Sequence, residues 1–125
     1  MDDETVQILA RSANLAGQSG MLKEATTIID ALNVALPGDE NVDLLRASTM
    51  LHTGKFGDAE KILRDTILSA DSGNSSATFL LGMAYHLSGK NSDRDRTFQQ
   101  YLDMTASDTE AEADGRTVAE GLMHS

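Results

Sequence analysis

The feature that most constrains this chain is a period. Gly20, Gly54 and Gly89 stand 34 and 35 residues apart, and the stretches RASTMLHTGK (Arg46 to Lys55) and LGMAYHLSGK (Leu81 to Lys90) share a small residue, an apolar spacing and a terminal Gly-Lys. Other columns keep the same step. Seven residues before each glycine lies a small side chain, Ala13, Ala47 or Gly82, and nine residues after it a large apolar one, Ile29, Leu63 or Phe98. Five residues after it come Ala25, Ala59 and Arg94, so that column holds twice and fails once. Repetition at this length means that each unit buries its apolar face only against its neighbours.

The units are helical. Apolar residues follow helical spacing at Ile28, Ile29, Leu32 and Leu36 and again at Ile62, Leu63, Ile67 and Leu68, and no segment alternates at period two long enough to make a strand. Punctuation falls between these runs. Pro37 and Gly38 end one helix with Asp39 as the N-cap of the next, Gly73 precedes Ser75 as a cap, and Ser92 with Asp95 three residues later reads as an acidic capping box. Helices are expected in pairs, 5–18 with 22–35, 41–53 with 56–69, and 76–88 with 91–104.

A helix pair repeated about every 34 residues is the tetratricopeptide (TPR) pattern. The third unit matches it best: Leu81, Gly82, Tyr85 and Phe98 reproduce its L-G-x-x-Y…F core, whereas its tryptophan is replaced by Leu9, Asp43 or Thr78 and its closing proline survives only as Pro37. The expected fold is all-α, a right-handed TPR-like solenoid forming one domain over 1–125, with repeats at about 5–36, 39–71 and 74–106. An acidic cap or tail, 107–125, follows, and a last helix could start from Asp108.

Composition removes several functions. The net charge of −10 opposes binding to nucleic acid, which depends on neutralising phosphates with Lys and Arg. With no cysteine there is no thiolate zinc site, disulfide or cysteine nucleophile, and His52, His86 and His124 share no metal-ligand spacing. The stretch GKFGDAEK lacks the strand and the remaining residues of a phosphate loop, and no G-x-S-x-G elbow occurs. Neither a catalytic site, a metal nor a cofactor is expected. No apolar run is long enough to span a membrane, and the start MDDETV is acidic where a signal peptide would be basic, so a cytoplasmic protein is expected.

What remains is a protein-binding face. In a TPR array the first helix of each pair lines the concave side. The glycine register assigns to it Gln7, Ala10, Asn14 and Gln18, then Leu44, Ser48, Leu51 and His52, then Phe79, Met83, His86 and Leu87. This face grows more apolar toward the third unit, which suits the apolar side of an amphipathic helix or an extended segment.

The three-repeat layout, acidic balance and the motifs EATTIIDAL, GKFGDAEKIL and LSGKNSDRDRTFQQYLDM resemble the small TPR chaperones of bacterial type III secretion, of the YscY and YscG kinds, with Hrp-associated TPR proteins a near alternative. The resemblance covers about Val6 to Met104, and Arg94 departs from it. It implies a cytoplasmic chaperone that holds an export substrate or apparatus component without ATP, often together with a second small co-chaperone. The competing reading is a TPR adaptor or scaffold subunit that joins folded partners.

Overall fold

The computed structural model describes residues 2–106 and 113–123. Among these residues seven α-helices follow one another: α1 (Asp3–Gln18), α2 (Leu22–Ala35), α3 (Glu40–His52), α4 (Phe56–Lys61), α5 (Ser75–Leu87), α6 (Asn91–Met104) and α7 (Ala113–Met123). A π-helical segment, Ile62–Ile67, continues α4 directly. No strand occurs among the described residues. The fold is an all-α right-handed TPR-like solenoid of three helix pairs, with α7 packed on the last of them. The Asp108 start expected for this last helix and His124 lie outside the described residues.

The periodic glycines are the turns within each pair. Gly20, Gly54 and Gly89 have φ of +78°, +81° and +78°, left-handed values that cost a residue with a Cβ energy and glycine little. Each first helix is capped by an Asx side chain at its N-terminus. Thr5 N donates to the Asp2 carboxylate at 2.7 Å, and Asn41 N and Val42 N donate to Asp39 at 2.8 and 3.2 Å. On α5 the cap is Asn74 and not the expected Ser75; its Oδ1 accepts from Ala77 N at 2.9 Å while its amide donates to Glu40 of the preceding repeat. The capping box expected at Ser92 and Asp95 is absent. The helix α6 already starts at Asn91, and Asp95 instead pairs with Arg94 at 2.9 Å.

The small and large columns meet where the two helices of a pair cross. Ala13, Ala47, Ile29, Leu63 and Phe98 are all buried. A Cβ on Gly82 would sit 2.3 Å from the Phe98 ring, so the third crossing tolerates only glycine where the others hold alanine. Between pairs, a Cβ on Gly17 would lie 3.1 Å from Thr49 Oγ1, so the glycine lets α1 approach α3 closely. Burying a side chain such as Ile29, Leu63 or Phe98 contributes about 1.5–3 kcal/mol.

The step of 35 residues in place of 34 has a location. In α2 the buried residues are Ala25, Ile29 and Leu32, with spacings of four and three; in the second pair they are Ala59, Leu63 and Ile67, with spacings of four and four. In a regular α-helix eight residues overshoot a face by about 80°. The π-helical turn over Ile62–Ile67 absorbs that excess, closed by a Leu68 N to Leu63 O hydrogen bond of 2.8 Å spanning five residues. Ile67 thereby stays in the core.

The last helix closes the C-terminal end. Ala119 is buried against Phe98 and Tyr101, a Cβ on Gly115 would lie 2.2 Å from the Tyr101 hydroxyl, and Arg116 Nη1 donates to Leu102 O and Thr105 Oγ1 at 2.7 Å each. The guanidinium thus satisfies a carbonyl at the end of α6 that has no partner within the helix. None of the helices among the described residues is long and apolar enough to cross a membrane.

Candidate functional site

The first helices of the second and third pairs, α3 and α5, leave a cleft of about 290 Å³ between them. Helical spacing sets its walls. On α5, Phe79, Leu80, Met83 and Leu87 recur at intervals that keep one face, and on α3 Ser48, Leu51 and His52 do the same. The lining is apolar apart from the Ser48 hydroxyl and the His52 ring. His52 Nδ1 lies 2.9 Å from Ser48 O. Because a carbonyl can only accept, that nitrogen donates, which leaves Nε2 as the acceptor of the neutral ring.

Several walls also serve the fold. Leu51 and Leu80 pack on the cluster around Ala47, Leu63 and Leu81. The Phe79 ring lies 5.9 Å from Phe98 and 5.2 Å from Tyr101, centroid to centroid, and Met83 rests on the same cluster. Leu87, 44% exposed, is the large apolar wall that the core leaves most open. The cleft therefore has a fixed back and an accessible rim.

Six of the residues assigned from the sequence, Ser48, Leu51, His52, Phe79, Met83 and Leu87, come together here. The other six do not line it. Gln7 and Gln18 are exposed on α1, and Asn14 is half-buried there. Ala10 packs on the Ala13, Ile29 and Leu32 cluster and borders a separate cleft of about 140 Å³ with Leu36 and Leu45. Leu44 packs on the core cluster of the second and third pairs. His86 is turned to its own pair, with Nδ1 accepting from Arg94 Nη1 at 3.0 Å. Arg94 stands where the other repeats have alanine, and its long side chain reaches back to α5 and takes His86 with it. Leu80 was not assigned to the face, although its spacing to Met83 and Leu87 is the helical signal that marks it.

No three or more acidic or histidine side chains among the described residues converge so as to hold a metal ion. What the cleft offers chemically is apolar contact area with one hydroxyl and one imidazole at its edge.

No protein-family model matches the chain. No curated protein is detectably similar to it. Among solved structures it is similar to the first TPR of Spaghetti (RPAP3) bound to the HSP90 peptide SRMEEVD, with 20% identity, a TM-score of 0.68, and coverage of 98% of this chain and 96% of that one. The likeness runs through the whole length of both chains and establishes the fold: this chain is folded as a TPR domain.

Proposed function

We propose that this protein is a binding protein, not an enzyme, that holds an apolar segment of another polypeptide in the cleft between α3 and α5. The observation that carries the reading is the lining itself: Leu51, Phe79, Leu80, Met83 and Leu87 face one space, with only Ser48 and His52 polar. Its size is close to the lower end of ligand pockets, about 300–1,000 Å³, so it takes a few side chains of a segment laid across it and does not enclose a molecule. Met83 lends the surface adaptability.

The ligand differs in chemistry from that of the structural neighbour. The peptide SRMEEVD carries three acidic residues against one arginine. Such a sequence calls for cationic donors, whereas this cleft is lined by aliphatic and aromatic groups on a chain of net charge −10. An amphipathic helix or extended segment with apolar side chains suits it better.

Within that reading, the client is an export substrate or apparatus component of type III secretion, held in the cytoplasm without ATP or any cofactor, and a second small co-chaperone completes the complex. This finer assignment is supported by the motifs EATTIIDAL, GKFGDAEKIL and LSGKNSDRDRTFQQYLDM.

Fluorescence anisotropy with two labelled peptides tests the proposal, one a leucine-rich amphipathic helix and the other SRMEEVD. The amphipathic peptide should bind, and Leu87→Asp should weaken it by about tenfold or more while leaving the helical signal intact. Tighter binding of SRMEEVD, or amphipathic binding indifferent to Leu87→Asp, would overturn it.

A further inference from the structure

The period that builds the three pairs runs on into α7. Ala84 follows Thr49 by 35 residues and Ala119 follows Ala84 by 35, and all three are buried. In that register Ser48, Met83 and Val118 form one column, and His52, Leu87 and Leu122 another. The first two members of each column line the cleft between α3 and α5. Packing agrees with the count. The helix α7 lies against α6 and α5 as α5 lies against α4 and α3, so it takes the place of a fourth first helix. Leu122 packs on the cluster of Phe98, Tyr101 and Ala119 on which Phe79 and Met83 also rest, and Val118 beside it is 41% exposed.

We infer that the client surface does not end at α5: Val118 and Leu122 carry it across to α7, and the segment it holds is a cationic amphipathic helix that crosses α3, α5 and α7. This rests on the reading of the cleft as the client site and gives that client a length and a charge. The axes of packed helices lie about 8–10 Å apart, so three in a row span about 16–20 Å. Seven residues of helix rise about 10.5 Å, close to one such step. A helix with large apolar residues seven apart therefore sets one into the cleft against Leu87 and the next against Val118. In an extended segment the side chains of one face recur about every 7 Å, which falls out of step with that spacing. Charge follows from the same register. No Lys or Arg stands in these two columns or in the neighbouring column of Leu44, Phe79 and Asp114, where exposed Asp114 adds a carboxylate to a chain of net charge −10. Lysines flanking the apolar stripe of the client meet an attractive field there, and acidic residues a repulsive one.

Fluorescence anisotropy on the full chain decides the matter with three labelled helical peptides of equal length, about fourteen residues or two heptads, long enough to span the strip. One carries leucines in both heptads on a lysine background, the second has the leucines of one heptad replaced by alanine, and the third has glutamate for every lysine. The first should bind most tightly. Val118→Gln, at an exposed site, should keep the helical signal by circular dichroism and weaken the first peptide by about fivefold or more while leaving the second unchanged. Val118→Ala should act in the same direction to a smaller extent. Leu87→Gln should weaken both lysine peptides, and Glu120→Gln, exposed on another face of α7, neither. The glutamate peptide should bind at least tenfold more weakly than the first. Loss at Leu87 with none at Val118 would overturn the extension to α7 and leave the cleft as the client site. Indifference to both substitutions would overturn the cleft reading and the extension with it, and equal affinity for the glutamate peptide would overturn the assigned charge.

Discussion

The first repeat and the two that follow build the same helix crossing from different parts. In the first, Ala13 meets Ile29 with Ala25 beside it and buried side chains spaced by four and three. The second inserts one residue and turns the helix through a π segment to keep Ile67 inward. The third replaces alanine with Gly82, fits the larger Phe98 against it, and places buried Arg94 where alanine stood. The first repeat shows the minimum that the architecture needs; the other two show that a change in the crossing is accommodated by its immediate neighbour. The larger of the two apolar clefts, about 290 Å³, opens between these two altered repeats, and one of about 140 Å³ lies beside the regular one.

Deletions contrast the first and second repeats most strongly. Removing Ala31 should rotate Leu32 by about 100° out of the core and cost about 2–5 kcal/mol, roughly what truncating a buried leucine costs. Removing exposed Thr66 should convert the π turn to regular α-helix with Ile67 still buried, at about 1 kcal/mol or less. Chemical denaturation of both variants checks the pair; equal losses would show that the extra residue is not absorbed where the π turn lies.

A smaller effect separates the third repeat from the other two. Gly82→Ala should over-pack the crossing against Phe98 and destabilise by about 1–3 kcal/mol. In combination with Phe98→Leu, which restores the alanine-leucine pairing of Ala47 and Leu63, the loss should be less than the sum of the single losses. Additive losses in a double-mutant cycle would break the idea that the two residues are matched.

Acidification gives the smallest contrast. The Thr5 backbone amide holds the Asp2 carboxyl below its ordinary value, so the α1 cap stabilises above the usual carboxylate range and is lost as pH falls through it. The α5 cap, Asn74, carries no titrating group. Followed by NMR, the Thr5 amide, bonded directly to a carboxylate, should shift further in acid than the Ala77 amide, which meets the Glu40 carboxyl only through the Asn74 side chain; equal shifts at both would contradict the assignment of the caps.

The fold was legible because it rests on a few residues with one physical reason each. Glycine is required at Gly20, Gly54 and Gly89 by positive φ, and small side chains at Ala13, Ala47 and Gly82 by the crossings. The step of 35 residues announced an extra residue after Gly54, but a count cannot say whether a loop or a helix takes it up. Ser75 and Asn74 are adjacent and both suited to capping, so composition does not choose between them. Of the twelve residues that the register assigned to one face, six line a common cleft and six do not, because side-chain reach lies outside the register. Arg94 drew His86 toward its own pair, and Ala10 and Leu44 went to the cores beneath them.

On the proposed function, binding belongs to the apolar cleft between the second and third repeats and not to the polar first repeat. Titrating the isotope-labelled protein with the leucine-rich amphipathic peptide and recording backbone amide shifts tests it most directly. Changes should concentrate at Ser48, Leu51, His52, Leu80, Met83 and Leu87, with Gln7, Asn14 and Gln18 unmoved. Changes concentrated on α1, or spread over the convex side with the cleft amides unaffected, would contradict it.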